Sequence, residues 1–258
     1  MQFPSENPFS EQKRVLGKIL FFDEQLSTSN VVACATCHAF GNAGADPRLA
    51  RNPGDDNVLN TPDDILGSPG VLRSDASDNY EPDPVFALRP QITGRAANSP
   101  VNAGFSRLLF WDGRATSRFT DPQSGQTAIN AGGALESQSV QPILNSIEMS
   151  HAGTDFSEVA RRLERAEPLN LATSHPADVA AALAGHPSYP ELFRQAFGDP
   201  EISARRIAFA IATYERTLVS DQAPYDRFRN GQPNALTPAQ QRGLAGFQSQ
   251  GARCSACH

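Results

Sequence analysis

The chain has 258 residues, is 39% hydrophobic and carries a formal net charge of −6. That length supports a real core in one or two domains, and the acidic balance argues against nucleic acid as a partner while suiting a basic redox protein met by electrostatic steering. No run reaches the length and apolarity of a membrane span, and Met1-Gln2-Phe3-Pro4 begins no signal peptide.

In chain order, Ser10-Glu11-Gln12-Lys13 followed by Val15, Leu16, Ile19 and Leu20 predicts an N-capped amphipathic helix closed by Phe21-Phe22-Asp23. Cys34-Ala35-Thr36-Cys37-His38 comes next, and the pattern returns as Cys254-Ser255-Ala256-Cys257-His258. Two thiols three positions apart with a histidine directly after them suit covalent haem attachment: each cysteine adds across a vinyl group, and the imidazole becomes the proximal iron ligand. The two motifs use all four cysteines. A four-cysteine zinc site is one alternative, but zinc ribbons separate their cysteine pairs by roughly 15–20 residues, and here the pairs stand near opposite ends of the chain. A thioredoxin-like dithiol is another, and it gives no reason for a histidine after both pairs. The reading carried forward is two covalently attached haems c, with His38 and His258 as iron ligands. Such attachment takes place outside the cytoplasm, which points to a periplasmic protein whose leader has been removed.

From Ala39 to Arg95 glycine, proline, asparagine and aspartate dominate without periodicity, which predicts a long loop, functional or disordered. Wrapped over a haem edge, it would act as a lid. Past Met149 the chain turns regular. Asp155-Phe156-Ser157-Glu158 opens a helix, Ser188 to Phe197 and Ser203 to Val219 predict two more, and Thr237-Pro238-Ala239-Gln240 starts another. With no run of alternating strands, the predicted fold is mainly α: two cytochrome-c-like haem domains with long irregular loops, residues 1–219 and 220–258, the second incomplete in this chain.

The stretch between loop and helices carries a family signature. Asn102-Ala103-Gly104-Phe105, Phe110-Trp111-Asp112-Gly113-Arg114-Ala115 and Gln138 through Pro142 to Glu148-Met149 resemble the core of bacterial di-haem cytochrome c peroxidases and their MauG-type relatives. Leu16 to Asp23, Tyr214-Glu215-Arg216-Thr217-Leu218 and Tyr225-Asp226-Arg227-Phe228 resemble the same family, apart from the loop and an insertion near Thr116 to Ala134. The residues alone leave Glu148 as either a solvated helix end or an acid-base with a raised pKa, and Trp111 as either a core aromatic or something more. The resemblance implies that Glu148 is the catalytic acid-base, with Gln138 beside it and Pro142 in the distal wall. It also implies that Trp111 relays oxidising equivalents between the haems and that Arg114 binds a propionate. The implied activity is reduction of hydrogen peroxide by a small cytochrome c or cupredoxin, with a homodimer left open. A MauG-type oxidase acting on a partner protein's side chains is the alternative, and a non-catalytic electron-transfer protein is the second.

Three departures from the family pattern matter. No histidine lies between His38 and His151, so the expected distal ligand of the first haem is missing and an open or water-filled site is predicted, with Tyr80 as the competing ligand. The asparagine offered to an inter-haem calcium falls at Ala96, with Asn98 close by, which puts calcium in doubt. The sixth ligand of the second haem has no candidate before His258.

Overall fold

The first helix, α1 (Glu11–Phe22), begins where the Ser10 hydroxyl accepts the Lys13 N–H and ends where Asp23 turns extended. It buries Val15, Leu16, Ile19, Leu20 and Phe21 against α8 (Ala204–Glu215), in which Ile207 through Ala212 are all buried. The helices pass closely at Gly17, where a Cβ would lie 1.9 Å from the Ala210 carbonyl oxygen. Only glycine permits that approach.

This computed structural model describes residues 2–257, which leaves the predicted iron ligand His258 outside the described residues. The chain divides into two compact units between Leu218 and Val219. Around the α1–α8 pair the first unit arranges α5 (Phe156–Arg165), α6 (Ala177–Ala182) and α7 (Tyr189–Phe197). The caps are those the sequence predicts: Asp155 accepts the Glu158 N–H, and Glu191 reaches back to the Ser188 N–H. Asp23 joins this helical half together by accepting the Tyr189 hydroxyl at 2.5 Å and the Leu169 N–H at 2.7 Å.

The structure changes two expectations for the helices. α8 stops at Glu215 rather than Val219, because the Thr217 and Leu218 N–H groups bond three residues back and tighten the last turn. Two short helices, α3 (Ala134–Ser139) and α4 (Gln141–Leu144), escape the sequence reading. They are one helical run broken at Val140, ahead of Pro142, which has no N–H to offer.

The non-helical part of the first unit is ordered. α2 (Cys34–Cys37) carries the first cysteine pair, and two antiparallel ribbons follow, β1 (Ala50–Asn52) with β2 (Ile65–Gly67) and β3 (Phe119–Thr120) with β4 (Thr127–Ile129). Between them, carboxylates replace ladder bonds by accepting nearby backbone N–H groups. Asp56 serves Val58, Asp63 serves Asp55 and Asp56, Asp75 serves Ser77 and Asn79, and Asp83 serves Val85 and Phe86. The aspartates that hide any periodicity thus supply the local order that the expected loop lacks.

The second unit holds α9 (Pro224–Arg229), α10 (Pro238–Gln248) and a single tight turn over Cys254–Ala256. α10 starts as predicted, with Thr237 and Gln240 capping each other and Pro238 in the first turn.

Candidate functional site

A cavity of about 1180 Å³ opens within the first unit. It exceeds the roughly 300–1,000 Å³ of most small-molecule sites and is large enough for a porphyrin. Cys34, Cys37 and His38 line one part of it. The Thr36 hydroxyl accepts the Ala33 N–H and fixes the start of α2. His38 Nδ1 lies 2.7 Å from the Asn98 carbonyl oxygen, which can only accept, so Nδ1 carries the proton and Nε2 keeps its lone pair. Burial lowers the pKa of His38, which favours the neutral imidazole that a metal requires. Burial likewise pushes the Cys34 thiol up strongly and the Cys37 thiol to about 11, against the pull of Arg48. Neither sulfur is a ready thiolate, which weighs against a zinc cage. The residues fit a haem.

Gln138 of α3, Pro142 of α4 and Glu148 in the turn after it also line the cavity. That turn is held from several sides. The Asn145 carboxamide oxygen accepts the Ile147 and Glu148 N–H groups at 2.8 and 3.2 Å. The Val71 N–H bonds the Ile147 carbonyl at 2.9 Å, and the Gln91 side chain donates to the Ser146 carbonyl at 2.8 Å. Gly70 lies so close that a Cβ there would sit 1.9 Å from the Ile147 oxygen. Glu148 is half-buried, and desolvation raises its pKa, with the charge of Arg114 opposing.

Arg114 stacks over the Phe110 ring at 3.6 Å, donates to both Asp112 oxygens at 3.0 Å and reaches Gln141 at 3.2 Å. Asp112 is pulled to about 2, by the Arg95 hydrogen bond first and then by the hydrogen bonds and charge of Arg114. The core-aromatic reading of Trp111 is corrected, since the residue is 91% exposed at the cavity rim. The cause is local: Phe110 takes a left-handed φ of +62° and packs under Arg114, which turns the next residue outward.

Other candidates are placed elsewhere. His151 is buried, with its ring between the Ala152 carbonyl and Glu158, and His186 is exposed. Tyr80, exposed and bridged to Ser74, is not among the cavity-lining residues, where His38 is the only imidazole among the described residues. Ala96 and Asn98 both line the cavity, but Asn98 enters through its backbone carbonyl. In the second unit Cys254 is half-buried and Cys257 exposed.

Sequence reading missed the parts that position these groups: Asn145, Gly70, Gln91 and the Asn98 carbonyl. Asn145, three residues before Glu148, is a legible turn signal; the contacts of Gly70 and Gln91 leave none. It named Glu215 only as part of a family-like stretch and gave it no role, though it is buried at the end of α8 and lines the same cavity.

Comparison with known proteins shows the family. A family described as di-haem cytochrome c peroxidase matches residues 11–234. The MauG methylamine utilization protein of Methylophilus methylotrophus is 31% identical over 99% of this chain and 54% of its own length. The cytochrome c551 peroxidase of Pseudomonas aeruginosa is 32% identical over 97% of this chain and 51% of its own. A MauG-like protein associated with microbial copper homeostasis superposes over the whole chain and 54% of its own, with a TM-score of 0.59 and 25% identity. This chain therefore spans about half the length of the relatives it matches, and with the match of the family across most of its residues it belongs to the di-haem cytochrome c peroxidases.

Proposed function

We propose that the protein is a periplasmic c-type di-haem oxidoreductase that reduces hydrogen peroxide to water with electrons from a small cytochrome c or cupredoxin. The observation that carries this reading is one cavity lined both by Cys34, Cys37 and His38 and, from distant parts of the chain, by Gln138, Pro142 and Glu148. Cys34 and Cys37 would take the two vinyl groups, the Nε2 lone pair of His38 would serve the iron, and Arg114 would hold a propionate. When bound, the haem supplies the iron centre at which the O–O bond of peroxide breaks. Glu148 takes the proton from the near oxygen and delivers it to the departing one. Burial raises its pKa, which strengthens its hold on the proton it accepts before passing it on. Gln138 holds the peroxide beside it, Pro142 walls the site without adding an N–H, and Trp111 passes electrons at the rim. Two electrons and two protons convert each peroxide to two waters. Cys254, Cys257 and His258 hold the second haem, where electrons enter, in a domain beginning at residue 220.

Pyridine haemochrome analysis should return two covalent haems per chain, and Glu148→Gln should slow peroxide turnover by roughly 10²–10⁴-fold. An unchanged rate sinks the assignment. Among the described residues His38 alone brings an imidazole to the cavity lining, which supports an open distal site, checked by a high-spin ferric resonance signal from the His38 haem. Relatives named MauG match as well as the peroxidases do, which keeps a side-chain oxidase as the second reading. Poor turnover of reduced cytochrome c would favour it.

A further inference from the structure

Glu215 has no part in the scheme above. It ends α8 and lines the cavity, yet its side chain is 4% exposed and its Oε2 has no hydrogen-bond partner. A buried carboxyl oxygen left unpaired is costly, so the fold keeps it at the expense of stability.

The charged groups around it are committed elsewhere. Arg216, next on the chain, gives both terminal nitrogens to Glu136 of α3, at 2.6 and 2.7 Å, and one also to the Gly132 carbonyl. From α2, Cys34 feels the Glu215 charge, but as a thioether it would not titrate. Burial, against the pull of Arg216 and with a push from Glu136, raises Glu215 to about 8. Glu215 lines the same cavity as Cys34 and its charge reaches the Cys34 sulfur, so it lies within electrostatic reach of a haem bound there.

We propose that Glu215 is the proton partner of the His38 haem, taking one proton from solvent when that haem gains an electron and releasing it when the electron leaves. This rests on the haem assignment above. The balance is one electron from a one-electron reductant and one proton onto a carboxylate oxygen; the only bond made or broken is O–H. An added electron nearby raises the proton affinity of the carboxylate, and by reciprocity the proton raises the electron affinity of the site.

The test is potentiometric titration of the di-haem protein, followed by visible absorbance from pH 6 to 10 with dithionite as reductant. Haem content is counted first, so a failure of haem loading is seen separately. One of the two reduction waves should fall with pH by up to 59 mV per unit, the slope of a one-electron, one-proton couple. The slope should vanish in Glu215→Gln and persist in Glu148→Gln. Two flat waves in the parent protein, or a slope surviving in Glu215→Gln, overturn the proposal. If Glu215→Gln does not accumulate in loaded form, redox-difference infrared spectra of the parent and of Glu148→Gln decide: a protonated-carboxyl band appearing on reduction in both supports it, and its absence from either overturns it.

Discussion

The first unit is built in two ways, and the halves differ in what holds their backbone. The helical half, α1 with α5 to α8, satisfies its N–H and C=O groups within each helix and buries an apolar stripe. The cavity wall, from α2 to the Glu148 turn, does so through Asp and Asn side chains, two short ribbons and single bridges. Packing of a helix face is spread over many contacts, whereas a turn rests on a few named bonds. The helical half should therefore answer to mutation through stability, and the wall through the position of Glu148.

Arg216→Ala gives the largest expected effect on the stability side. Arg216 and Glu136 are both buried, and the pair, with Asn7 donating to Glu136 at 2.9 Å, clamps α8 to α3. Removing one partner leaves a buried charge alone and should cost about 3–5 kcal/mol in denaturant unfolding. A loss below about 1 kcal/mol would show that the clamp is not what joins these helices. Because α3 carries Gln138, activity per folded molecule should also fall in this variant, which makes it the one place where the halves are not separable.

The same division explains what the sequence revealed. α1, α5, α7 and α10 were legible because Ser10, Asp155, Ser188 and Thr237 are caps followed by periodic apolar residues, and the haem motif was legible because its chemistry is local. Glu148 and Gln138 came from resemblance; their residues alone left them ambiguous. The wall was not legible, since an aspartate that folds a turn and one that solvates a loop look alike in sequence. α3 and α4 were missed because six and four residues are too few to show a period. The exposure of Trp111 was not legible because a left-handed φ at Phe110, an aromatic, has no sequence signal.

Two glycines set up a matched test. Gly17 and Gly70 each face a carbonyl oxygen that an added Cβ would meet at 1.9 Å, Ala210 in the first case and Ile147 in the second. Each alanine variant should lose about 1–3 kcal/mol by overpacking. What separates them is function. Gly17→Ala pushes two helices apart and should leave the peroxide turnover of the remaining folded protein close to the parent. Gly70→Ala displaces the turn that carries Glu148 and should lower kcat about tenfold or more in folded protein, since small misplacements of a reacting group are costly. Equal kcat losses in the two variants, measured on protein shown to be folded by circular dichroism, would erase the distinction between the halves.

Arg114→Gln is expected to have the smallest effect and the most specific one. As the acid-base proposed above, Glu148 would have to be ionised to accept a proton, so activity should fall as pH drops through its pKa, which burial raises. Arg114 opposes that rise by favouring the charged form. Removing its charge should therefore move the acid limb of the kcat profile to higher pH, leaving less active base at a given mildly acidic pH. Arg114 is itself 44% exposed and already paired with Asp112, so solvent and its partner both weaken its field. A surface charge interaction of about 0.2–1 kcal/mol corresponds to a shift of less than about one pH unit. Arg114→Lys keeps the charge and loses the fork that grips Asp112 and Gln141, so it should restore the limb without restoring those bonds. A limb that moves down in Arg114→Gln, or moves equally in both variants, would mean that Arg114 acts on the shape of the rim and not on the charge of Glu148.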